Sequence, residues 1–195
     1  LGLGYDLELG QNPYKLGFVG GSDSHNGTPG DVLEDNYIGS HGGADGTVER
    51  RRESDIAGWI MGRDANPGSL TGVWASKNTR AEIWDALRAR ETFATSGTRI
   101  TPRFFGGVGL TAQDPVAMIE QGYAEGVPMG GELVALREAP TFTVHALKDP
   151  DGANLDRIRR LVCGRGCSSA SDRENRIFAP AIQSESAWAS ISARR

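Results

Sequence analysis

The 195-residue chain is 38% hydrophobic, carries a net charge of −4 and has a pI near 5.4. That balance excludes an intrinsically disordered chain and argues against a general nucleic-acid surface or an anionic membrane as partner. Its 27 glycines are about twice the usual share of ~7%, and their clustering between periodic segments predicts short elements joined by many loops.

No run approaches the ~18 apolar residues of a membrane-spanning helix, and no signal peptide is apparent. The chain begins at Leu1, as a fragment or processed piece would, so periplasmic and cytoplasmic locations both stay open. Oligomeric state is not legible. Cys163 and Cys167 are too few for a disulfide framework, and their C-x3-C spacing has no second pair to complete a zinc knuckle. A plain thiol pair is expected.

In chain order, residues 1–15 read as an approach loop, with Gly2, Gly4, Gly10 and the turn-like Asn12-Pro13. Leu16 to Gly21 is a short apolar run, which predicts a strand buried on both faces, as in a parallel sheet or barrel. It ends at Ser22-Asp23-Ser24-His25. In an extended chain, residues two apart point to the same side, so Asp23 and His25 are placed to aim an oxygen and a nitrogen at one point. Mixed donors of this kind suit a hydrolytic metal site, and a polar turn is the competing reading.

A glycine-rich excursion from Thr28 to about Gly72 includes His41 and the charge run Glu49 to Glu53. It is expected to be a solvated insertion holding a short helix near Ile56–Met61, with a substrate lid as the alternative. Leu70 to Ala75 is a second strand candidate. Thr79 with Glu82 then forms a capping box, and Ile83, Trp84 and Leu87 continue into the basic end Arg88 and Arg90. This is the strongest helix signal in the chain. Arg90 and Arg99 stand where they could meet an anionic substrate group or form structural salt bridges.

Beyond it, Arg99 to Phe105 and the alternating Thr141 to Leu147 read as strands, Asp149 to Asn154 as a turn, and Leu155 to Ile158 as the start of another strand. His145 falls on the polar face of its strand, where a surface or hydrogen-bonded role is expected. Asp149 and Asp151 lack the third acid and terminal Glu of a calcium loop. A boundary near residue 98 divides an α/β portion (1–98) from a β-rich portion (99–195).

Three stretches in order carry a family likeness. They are Asn12-Pro13-Tyr14-Lys15 with Gly21-Ser22-Asp23-Ser24-His25-Asn26, then Leu70-Thr71-Gly72-Val73-Trp74-Ala75, then Ala86-Leu87 through Arg90-Glu91-Thr92-Phe93-Ala94-Thr95-Ser96-Gly97. Arg103 to Gly107, Gly126 to Gly131 and Ala146 to Pro150 add to it. Together they resemble the C-terminal part of the bacterial domain-of-unknown-function 3604 family, over roughly residues 1 to 158. That family is similar to the PHP (polymerase and histidinol phosphatase) metal-dependent hydrolases.

The resemblance implies the C-terminal part of a distorted TIM-like barrel, followed by the β-rich segment. A late strand of such a barrel ends in an Asp-x-His pair, matched here by Asp23 and His25. It implies a divalent cofactor (zinc, manganese or iron) and a small ester or phosphoester substrate attacked by metal-activated water. The early His-x-His of the relatives is not in this sequence, so the expectation is the back end of a barrel, inactive by itself. From about Arg159 the sequence departs from the family pattern, as a frame change or true divergence would produce. The alternative is a non-catalytic β-rich binding module with a relic metal motif.

Overall fold

A computed structural model describes residues 2–25, 27, 45–53, 55–56, 58, 60–64, 68–134, 138–158, 160–161, 174–175 and 186–192. His41, Cys163, Cys167 and most of the glycine-rich excursion lie outside the described residues. The chain divides into two compact units. One comprises Phe18–Pro102 with Leu147–Ala153; the other comprises Leu1–Gly17, Arg103–Ala146 and Asn154–Arg195.

The elements begin with helix α1 (Gly2–Leu9), closed by Gly10, whose N–H reaches the Asp6 carbonyl at 3.0 Å and whose φ is +69°. That left-handed turn is one glycine adopts without steric cost. Leu16 to Gly21 is not a strand. Leu16, Phe18 and Val19 are 72%, 77% and 66% exposed, so the expected double burial does not occur.

The charge run forms the short helix α2 (Val48–Glu53), which buries none of its residues. Thr47 caps it, accepting the Arg50 N–H at its hydroxyl. The helix expected near Ile56–Met61 is instead a pair of two-residue antiparallel strands, β1 (Asp55–Ile56) and β2 (Ile60–Met61). Gly58 turns the chain there with φ +78°, a left-handed conformation that does not continue a helix, and its N–H donates to Asp55 Oδ1 at 2.7 Å.

A helical excursion then separates two paired strands: β3 (Leu70–Val73), α3 (Arg80–Ala89) and β4 (Thr92–Thr95). β3 and β4 are antiparallel, with Leu70 opposite Thr95 and Val73 opposite Thr92. On one face Gly72 lies opposite Phe93, whose ring would sit 2.0 Å from any Cβ there. Only glycine leaves room for that ring, which also packs 6.0 Å from Trp74. The predicted cap of α3 is present in part: Thr79 Oγ1 accepts the Glu82 N–H, but the Glu82 carboxylate takes the Ser76 hydroxyl.

The other unit is built on a four-stranded sheet. Its strands are β5 (Thr101–Gly107), β6 (Val127–Pro128), β7 (Thr141–Leu147) and β10 (Ser186–Ser192), in the order β10-β7-β5-β6. A separate short pair, β8 (Arg160–Leu161) and β9 (Glu174–Asn175), is antiparallel. β7 matches its predicted span; Leu155 to Ile158 is not strand.

Helix α4 (Pro115–Glu125) has no counterpart in the predicted elements. Asp114 caps it, accepting the N–H groups of Val116 and Ala117 at 3.2 and 3.0 Å, and Pro115 occupies its first turn. Gly122 lets the helix settle on Phe105, whose ring would stand 2.4 Å from a Cβ at that position. Phe105, Leu110 and Met118 form the core, with the Phe105 and Tyr123 rings edge to face at 5.0 Å. On the opposite face Phe104 stacks on Phe142 at 5.6 Å.

Mixed helix and sheet is therefore the fold class. β1–β2, β3–β4, β5–β6 and β8–β9 are all antiparallel, and among the described residues no closed barrel forms.

Candidate functional site

The chain leading to Asp23 and His25 is positioned by the β3–β4 pair. Thr71 faces the same side as Val73, and Val73 is opposite Thr92, so both threonine hydroxyls emerge from one face. Thr92 Oγ1 donates to the Phe18 carbonyl at 2.7 Å, and Thr71 Oγ1 both accepts the Gly20 N–H at 2.9 Å and donates to the Gly20 carbonyl. Side-chain bonds at these carbonyls stand where ladder bonds were expected. A Cβ at Gly20 would lie 2.6 Å from the Leu70 carbonyl oxygen, so glycine is what permits this approach.

Past this anchor the backbone turns. Asp23 has φ 53°, a left-handed conformation rather than the extended one anticipated. His25 nonetheless folds back on it. The His25 Nδ1–H donates to the Asp23 carbonyl at 2.7 Å, and the same nitrogen is 4.0 Å from Asp23 Oδ1. A neutral ring that donates from Nδ1 carries its lone pair on Nε2, the arrangement in which histidine serves as a ligand. Both side chains are about three-fifths exposed, at 59% and 62%.

The structure thus brings Asp23 and His25 together. Among the described residues no group of three or more His, Cys, Asp or Glu is gathered as a metal would require. Arg90 ends α3 in a left-handed turn (φ 62°), its N–H bonding to the carbonyls of Ala86 and Leu87. Arg99 precedes β5, and its backbone N–H donates to Asp149 Oδ2 at 2.6 Å.

Asp149 is buried and acts as a clamp on the loop. Besides Arg99, it accepts the Asp151 N–H at 3.1 Å. The Arg99 and then the Asp151 backbone bonds hold its carboxyl below the usual carboxylate range. The turn read at this position is confirmed.

His145 is a correction. Expected at the surface or hydrogen-bonded, it is 5% exposed, and among the described residues neither its Nε2 nor the Thr143 hydroxyl has a hydrogen-bond partner. Phe142 stacks on Phe104, so Thr143 and His145 alternate onto the opposite face, the one that carries Phe105. Burial lowers the imidazole pKa. The polar letters at 141, 143 and 145 gave no sign of this, because the signal lay in α4, which covers Phe105.

The sequence profile of the family described as "Protein of unknown function (DUF3604)" matches residues 1–188, continuing past Ile158, where the motif likeness stops. No curated protein matches the chain, and no solved structure does. With 188 residues of the chain inside that profile, this protein belongs to the DUF3604 family.

Proposed function

We propose that this protein is part of a metal-dependent hydrolase acting on an ester, with phosphoesters favoured, and that residues 1–98 contribute to a PHP-like, TIM-like barrel. The observation that carries the reading is the His25–Asp23 pairing, in which the Nδ1 bond sets the imidazole tautomer beside a carboxylate. One carboxylate oxygen and one imidazole nitrogen fit zinc, manganese or iron as a donor set, and further donors are needed to complete it. Such a metal lowers the pKa of water and polarises the scissile group. Asp23 and His25 would hold it; Arg90 and Arg99 would bind the substrate's anionic group. The family likeness in the motif stretches supports this assignment by analogy of sequence.

The test is hydrolysis of p-nitrophenyl phosphate and bis-p-nitrophenyl phosphate by the intact protein supplied with each metal, alongside Asp23→Ala and His25→Ala. Metal-dependent turnover that both variants abolish supports the reading. Turnover and metal content unchanged in the variants overturn it.

A second reading rests on the sheet β10-β7-β5-β6, which with α4 builds its own core around Phe105. Such a unit suits a non-catalytic binding module, in which Asp23 and His25 are a relic. Metal binding without turnover on any ester would favour it.

A further inference from the structure

Where α1 ends, Gly10 reverses the chain and Asn12-Pro13-Tyr14 turns it again, forming a cleft of about 400 Å³. That is within the size range of small-molecule sites, roughly 300–1,000 Å³. Its described lining is Tyr5, Leu9, Gln11, Asn12, Pro13 and Tyr14.

The floor is a pair of tyrosines, their ring centroids 6.1 Å apart and their planes tilted by 35°. Both remain accessible, at 37% and 52% exposure, with Leu9 and Pro13 extending the apolar surface. The turn is held in place from within: the Tyr14 N–H donates to Asn12 Oδ1 at 2.9 Å, and the Leu16 N–H donates to the Tyr14 carbonyl at 2.9 Å. Lys15, next in the chain, pairs with Glu132 of the same unit at 2.7 Å. With its oxygen committed, the Asn12 amide has its NH₂ donors to offer, and the Gln11 amide and both tyrosine hydroxyls add donors and acceptors.

No Lys, Arg, Asp or Glu side chain lies among the described lining residues, so nothing there compensates a ligand charge. An anionic phosphoester would meet no countercharge among these described residues. What the cleft offers is flat aromatic surface ringed by neutral amides and hydroxyls. That combination matches a sugar ring, whose C–H faces are apolar and whose edges carry vicinal hydroxyls. We infer that the Tyr5–Tyr14 cleft binds a neutral saccharide, separately from the Asp23–His25 site and independently of any metal chemistry there.

The experiment is saturation-transfer NMR on the full chain, without added metal, using a panel of neutral glucose, galactose, mannose and N-acetylglucosamine disaccharides, with decaproline as a peptide control. Transfer to at least one sugar at millimolar concentration is expected. It should fall at least tenfold in Tyr14→Ala and in Tyr5→Ala, and be weakened but present in Tyr14→Phe, which keeps the ring. Near-UV circular dichroism matching wild type verifies that each variant is folded. Absence of transfer from every sugar overturns the inference, as does transfer that persists in both alanine variants or binding of decaproline alone.

Discussion

At the residue scale, the two described histidines sit in opposite surroundings. His25 is exposed and held by the Asp23 carbonyl, whereas His145 is buried beside Thr143 with no partner for Nε2 among the described residues. Burial lowers the folded-state pKa of His145 below 6.5, so between those values the unfolded chain binds the extra proton. Stability from this group is complete above pH 6.5 and is lost as pH falls toward the folded pKa. Urea midpoints at pH 5 and 7.5 should therefore diverge in wild type and converge in His145→Leu. Asp149 is also shifted downward, but because backbone hydrogen bonds favour its charged form. Its depressed pKa contributes stability above about pH 3.8, the ordinary aspartate value, lost as pH falls through the folded value. Thr143→Val removes an orphaned buried hydroxyl with little change in shape, and should stabilise by about 1 kcal/mol in denaturant unfolding. A loss of stability there would mean the hydroxyl has a partner.

At the scale of elements, local chemistry made α3 and β7 readable. The Thr79 cap with Ile83, Trp84 and Leu87 announced α3, and the alternation at 141–147 announced β7. α4 carried signals just as good, the Asp114-Pro115 start and Met118 and Gly122 four apart, yet it was not among the predicted elements. Leu16 to Gly21 failed for another reason. An apolar run reports that burial is favoured, not that a neighbouring strand is there to supply it, and here threonine side chains hold the segment instead. Two substitutions test the packing. Gly122→Ala forces a Cβ against the Phe105 ring and should cost about 1–3 kcal/mol, read from thermal or urea melts. Arg90→Gly relieves a left-handed cap and should stabilise by about 1 kcal/mol. If Arg90 also meets substrate, the same variant melts higher and turns over more slowly.

At the scale of the whole molecule, composition limited the possibilities without choosing among them. Mixed helix and sheet was legible from the alternation of periods along the chain. A barrel was not, because closure depends on contacts between strands far apart in sequence, and the strand pairs with a defined register run antiparallel. The site was half legible. Asp23 and His25 stood out for their donor chemistry, while the turn that joins them, with Asp23 left-handed and His25 Nδ1 on its carbonyl, contradicts the extended geometry that first suggested the pair.

The central claim is that Asp23 and His25 hold a divalent metal used in ester hydrolysis. The most direct measurement is metal content by mass spectrometry of the intact wild-type protein and of Asp23→Ala and His25→Ala, paired with phosphoester turnover on the same samples. The account predicts bound zinc, manganese or iron in wild type, with loss of metal and at least about a 100-fold drop in turnover in each variant. Variants that keep wild-type metal and wild-type turnover would contradict it.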